Sequence, residues 1–121
     1  MAKWIINRNG RASAIECDDL IRDKQGRFRL WIINGRLFDK VGNQVGWVEN
    51  GVFYDSNNEV IGFTNDYTGT LPSIPGINAL PAAMPGFGAQ PACRPVFHVI
   101  NIRAGYGGWS DVLFENYISE E

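Results

Sequence analysis

From Trp4 onward, short apolar runs return at a fixed interval of sixteen residues, separated by turn-forming polar residues. The N-terminal half divides without gaps into Trp4–Asp19, Leu20–Gly35, Arg36–Gly51 and Val52–Tyr67. The fourth position of these repeats holds Asn7, Asp23, Asp39 and Asp55, and the seventh holds Gly10, Gly26, Gly42 and Asn58. An Asp or Asn side chain accepts a hydrogen bond from the backbone two residues on, and Gly or Asn takes positive φ at little steric cost. Together they suit a type I turn closed by a left-handed residue. Strand-like residues follow each turn, as in Arg27–Ile33, and Asn34-Gly35 and Asn50-Gly51 then predict two-residue type I′ turns. Each repeat therefore predicts one β-hairpin.

In the returning strand the twelfth position is large (Ile15, Trp31, Trp47, Phe63), whereas the eleventh is Ala14, Leu30, Gly46 or Gly62. Side chains two apart share a face of a strand. The large residues are thus expected to gather in one layer where repeats meet, and the small ones to admit another backbone. One hairpin is marginal in water, but four around a shared core are not.

From Thr68 the pattern changes. All six prolines fall between Pro72 and Pro95, among glycines and isolated apolar residues, which excludes regular helix there. Leu71, Ile74, Ile77, Leu80, Met84, Phe87, Val96 and Phe97 give this stretch surface to bury, so it reads as an extended arm lying across the repeats rather than a disordered linker. Val96–Arg103 alternates well enough for a fifth strand element. Ser110 is placed to cap a short helix carrying Val112, Leu113, Phe114 and Tyr117. The expected fold is mainly all-β. A single domain spans 1–121, with hairpin repeats over 4–67, a Pro/Gly-rich arm over 68–108 and a short C-terminal helix and tail over 109–121.

Composition narrows the function classes. The net charge of −2 comes from eleven basic and thirteen acidic residues in small groups, with no basic stripe to follow phosphates, which argues against nucleic acid. No apolar stretch has signal-peptide length at the N-terminus, and the longest uncharged stretch, which begins at Tyr67, is too rich in Pro, Gly and polar residues to span a bilayer as a helix. A soluble, cytoplasmic protein is expected. Cys17 and Cys93 lack CxxC spacing, which signals neither zinc nor a disulfide framework, and no metal or cofactor is expected.

Several residues carry candidate chemistry. Asn7, Asp23, Asp39 and Asp55 can converge on an axis as oxygen ligands of a cation, although closing their own turns needs only local hydrogen bonds and suits Asn as well as Asp. Trp31, Trp47, Phe63 and Tyr54 recur at repeat spacing and offer an aromatic platform for a sugar or peptide. Core packing is the stronger reading, because large residues at repeat-equivalent positions are how stacked units bury surface. A Cys93–His98 nucleophile and base is conceivable, yet Arg94 and Pro95 interrupt any regular element that would put them on one face. No catalytic residue is assigned.

The Asp-x-x-Gly hairpin repeats, the segment Gly42–Asp55, the proline-punctuated tail reaching Arg94-Pro95 and the ending Gly108-Trp109-Ser110 resemble the bacterial 4-fold β-flower domain proteins. The resemblance implies a small β architecture with the repeats arranged as petals about a pseudo-fourfold axis. It implies no activity. The expectation is a non-enzymatic interaction or structural module, contacting a protein partner or a second copy in a homo-oligomer, with no nucleic acid or membrane involved. The alternatives are a small enzyme using His98 and Cys93, or a carbohydrate-binding module using the repeated aromatics.

Overall fold

The computed structural model describes residues 2–56, 59–69, 71, 75–76, 81, 85–88, 95–97, 108–110 and 114. Among them the strands are β1 (Lys3–Ile6), β2 (Ala12–Cys17), β3 (Leu20–Arg22), β4 (Phe28–Ile33), β5 (Arg36–Phe38), β6 (Gln44–Glu49), β7 (Val52–Asp55) and β8 (Val60–Thr64). Each pairs antiparallel with the next, and β1 pairs with β8, so the four hairpins close into a barrel in chain order. Closure removes the exposed edges that a free hairpin array would present.

The turn chemistry is realised as the repeats predict. Asn34 and Gly35 have φ of 52° and 77°, and Asn50 and Gly51 have 53° and 82°, the left-handed pair that a type I′ turn requires. At the other end of the barrel, Gly10, Gly26 and Gly42 have φ of 78°, 86° and 100°.

Repeat-equivalent pairs line the interior. The second position of each repeat faces its eleventh: Ile5 opposite Ala14, Ile21 opposite Leu30, Leu37 opposite Gly46 and Phe53 opposite Gly62. Ile5, Ala14, Ile21, Leu30, Leu37 and Phe53 form one cluster with Ile61 and Phe114, with Val45 and Val48 packed against it. Only the inside of a closed barrel can gather residues from all eight strands. Volumes compensate across the pairs, the largest side chain, Phe53, facing a glycine. The space beside Gly62 is taken by Phe114, which meets Phe53 edge-on at 5.5 Å between ring centroids.

Two features depart from the sequence reading. First, each hairpin carries a register shift, which leaves Ser13, Arg29, Val45 and Ile61, the tenth position of every repeat, as the extra residue. A bulge adds bend and twist to its strand, which helps strands this short to curl into a barrel. It also inverts the pleat, so Phe28 and Leu30, two residues apart, belong to different clusters, one outside and one inside.

Second, the large twelfth-position residues do lie where repeats meet, Trp31 opposite Phe38, Trp47 opposite Tyr54 and Phe63 opposite Ile6, but not in one layer. The outer face splits into a cluster of Ile6, Trp47, Val52, Tyr54, Val60, Phe63 and Leu71 and another of Leu20, Phe28, Trp31 and Phe38. A barrel wall curves its outer face away from itself, so residues on opposite sides cannot meet.

Described residues beyond Thr68 cover this outer face. Phe97 packs on Phe38 and Trp31 at centroid distances of 4.6 and 6.1 Å, and Trp109 packs on Phe63 at 6.2 Å. Of the expected strand Val96–Arg103 only Val96 and Phe97 are described, and of the expected helix and tail over 109–121 only Trp109, Ser110 and Phe114. The remainder of both lies outside the described residues. Among the described residues no helix is long and apolar enough to cross a membrane.

Candidate functional site

The end of the barrel formed by the Asp-x-x-Gly turns concentrates the polar chemistry. Asn7 Oδ1 accepts from the N–H groups of Asn9 and Arg11 at 2.9 and 3.2 Å. Asp23 Oδ1 accepts from Gln25 and Arg27 at 3.0 and 2.9 Å, and Asp39 Oδ1 from Val41 and Asn43 at the same two distances. Asp55 Oδ1 accepts from Glu59 N–H at 3.0 Å. Each Oδ1 closes its own turn through local hydrogen bonds. Among the described residues no group of three or more His, Cys, Asp or Glu side chains is placed to hold a metal ion.

Asp23 carries two ion pairs in addition to its turn bonds. Its Oδ2 lies 2.9 Å from Arg27 Nε and 3.1 Å from Arg29 Nη2. Burial pushes its carboxyl up, but the N–H groups of Arg27 and Gln25 and the two guanidinium groups outweigh burial and hold it below the ordinary carboxylate value.

The turn glycines serve a second purpose. A Cβ on Gly26 would collide with Gly86 O, and one on Gly42 with Val96 O, so two of the turns seat backbone from the C-terminal half. At the first seat Gly88 N–H donates to Gly26 O at 3.1 Å. Arg22, only 6% exposed, donates from Nη1 to Gly26 O and Gly88 O, both at 2.8 Å, and its guanidinium lies 4.9 Å from the Phe87 ring centroid. Carbonyls and a ring face thus receive a buried cation. These seats run in chain order along the rim, residues 86–88 on the second repeat and 95–96 on the third.

The proposed aromatic platform is not an open surface. Trp31, Trp47, Tyr54 and Phe63 are 2%, 7%, 4% and 0% exposed, packed into the two outer clusters described above. An apolar ligand would have to displace Phe97, Trp109 or Leu71 to reach them. Cys93 and His98 lie outside the described residues, and Cys17 is a half-buried free thiol.

Among the described residues, the exposed large apolar side chains lie at the turn rim. Val41, Phe87 and Val96 are 68%, 41% and 76% exposed. Val41 neighbours Gly42, on which Val96 sits, and Phe87 lies over Arg22 on the next repeat. Exposed Lys24, Arg27 and Lys40 stand on the same two turns, and exposed Arg8 and Arg11 on the first. The opposite end carries exposed Asp18, Asp19, Glu49 and Asp66, with Lys3 bound to Asp66 at 3.1 Å. The described barrel is therefore cationic and partly apolar at one end and acidic at the other.

Residues 3–118 match the family model of the 4-fold beta flower protein. The chain belongs to that family. No curated protein and no solved structure matches it. Membership in the beta flower family agrees with four sequence-equivalent hairpins closing on themselves, and it assigns no ligand. What the sequence reading of this beta flower missed is the rim itself. Val41 sits between two turn signals, where a lone apolar residue attracts no notice, and Val96 reads as the start of a strand. Only the seating of residue 96 on Gly42 brings the two together.

Proposed function

We propose that this beta flower is a bacterial, cytosolic, non-enzymatic protein-interaction module whose contact surface is the turn rim of its second and third repeats. The supporting observation is that Val41, Phe87 and Val96, the exposed large apolar side chains among the described residues, all stand at that rim, within a set of exposed cations. The closed ladder disfavours partners that add a strand to an edge. An apolar contact ringed by Lys24, Arg27 and Lys40 fits a protein surface bearing apolar groups flanked by carboxylates. Three exposed side chains make a small contact, which suits a transient association better than an obligate one. In this reading the Pro/Gly-rich segment is an arm that serves the barrel, seating on the turn glycines and covering the outer aromatics.

One candidate partner is a second copy, since the acidic end of one barrel complements the cationic rim of the next, whereas rim against rim would oppose like charges. Sedimentation of the purified chain tests this. Self-contact predicts a mass that rises with concentration, falls with added salt and collapses to monomer in Lys24→Glu/Lys40→Glu/Val41→Glu. A constant monomer that forms defined photo-crosslinks from position 41, but not from position 34 at the other end, assigns the rim to a different protein. A monomer with no crosslinks specific to position 41 would sink the proposal.

A further inference from the structure

The barrel does not close evenly. At the β1/β8 junction only Ile5 opposite Thr64 and Ile6 opposite Phe63 are paired, whereas every other junction holds at least three such pairs. Because β1 ends opposite Phe63, Val60, Ile61 and Gly62 run on without a β1 partner. This is the place where the barrel wall would split first, since opening it breaks the shortest ladder.

Four observations place the C-terminal residues on this gap. Val60 donates its N–H to Gly108 O and accepts from Ser110 N–H, both at 2.8 Å, making a parallel bridge centred on Trp109. Arg8, just beyond β1, donates from Nη1 to Ser110 O at 2.9 Å, so the inserted segment is bonded to both sides of the seam. The Trp109 ring packs on Phe63, which lies opposite Ile6 where β1 ends. Phe114 enters the interior beside Gly62 and is fully buried, touching the inner face of the strand whose outer neighbour Trp109 covers.

We infer that residues 108–110 with Phe114 are a latch that holds the β1/β8 seam shut, and that the seam is the route by which this barrel opens. The latch clamps the seam on both surfaces. Trp109 and the backbone bonds act outside and Phe114 inside, so undocking it would free β1 and β8 together while β3, β4 and β5 keep their ladders. Opening would also uncover two strand edges that are paired in the closed barrel.

Amide hydrogen exchange on the full chain tests the latch. Arg8 is exposed, so Arg8→Ala removes a bond to Ser110 without emptying the core. It should speed exchange at β1 and β8 amides roughly tenfold, the loss of one charge-assisted bond, with β3–β5 unchanged. Phe114→Ala should raise the same amides further, ahead of the rest of the barrel. Unchanged β1 and β8 exchange in Arg8→Ala would overturn the latch. So would a uniform rise across all eight strands in a folded Phe114→Ala protein. If Phe114→Ala does not fold, the Arg8→Ala pattern alone decides.

Discussion

Interior complementarity makes Gly62→Ala a demanding test of how Phe114 fills the barrel. A Cβ at this position would stand 2.9 Å from Phe114 Cδ2, 3.0 Å from Ile5 Cγ2 and 3.1 Å from Ile6 O. The backbone of Gly62 is outside the left-handed region, so the added methyl brings crowding without conformational strain. Alanine is better than glycine within a strand by roughly 0.5–1 kcal/mol, whereas overpacking a filled core costs about 1–3 kcal/mol. Crowding wins. The variant should lose about 1–2 kcal/mol, read as a lower urea midpoint at unchanged slope and a melting temperature reduced by roughly 4 °C per kcal/mol. Shortening the ring should relieve the clash. Phe114→Leu alone loses buried surface, about 1–2 kcal/mol, but combined with Gly62→Ala it should recover about 1 kcal/mol relative to the sum of the single changes. If Gly62→Ala is as stable as the parent, or if the two changes add within about 0.5 kcal/mol, Phe114 is not what occupies the space left by the missing side chain.

Two titrations follow from the charged groups. At Asp23, Asn keeps the Oδ1 acceptor that Asn7 uses in the first repeat but forfeits the pairs to Arg27 and Arg29. Asp23→Asn should therefore cost about 1 kcal/mol at pH 7 and Asp23→Ala about 1–3 kcal/mol more. Because the folded carboxyl is held below its unfolded value, its stabilisation is present above about pH 4 and is lost as pH falls through the folded pKa. Urea midpoints of parent and Asp23→Asn should converge in acid, and curves that stay parallel from pH 7 to pH 2 would refute the ion-pair assignment. Glu16 has the opposite sign. Burial raises its carboxyl, opposed by Lys3 and reinforced by Asp66, so stability associated with its neutral form is present below the unfolded pKa and lost as pH rises through the folded one. Glu16→Gln should melt higher than the parent at pH 7, with the gain vanishing below about pH 4. A variant that melts lower at pH 7 would show that Glu16 makes a favourable charged contact instead.

How much of this molecule is legible in its sequence depends on whether the signal is local. The turns are legible because Asp39 bonds its own backbone two and four residues on and Gly42 needs its own positive φ, so nothing distant is required to predict either. The sixteen-residue period then carries these local facts around the barrel. The bulge at Ser13, Arg29, Val45 and Ile61 is invisible because it has no residue preference, appearing as a hydroxyl, a cation and two aliphatics. Its effect on facing shows only when Leu30 is found opposite Ile21 and Phe28 opposite Arg22. The period hides a further fact, since four equal hairpins do not make four equal junctions. The first and last strands meet through chain closure rather than through a turn, and closure is what leaves Val60 to be paired from elsewhere in the chain. The glycine columns are ambiguous for the same reason. Gly26 looks like a residue required by its own φ, yet Asn34 and Asn50 hold positive φ in this barrel, so φ alone does not demand glycine. The added demand comes from Gly86 O pressing where a side chain would be, a constraint written sixty residues away. Departures from an internal repeat therefore point to long-range contacts. In this chain they lead from the turn glycines, and from Gly62 facing Phe53, to segments beyond the repeats that complete the barrel.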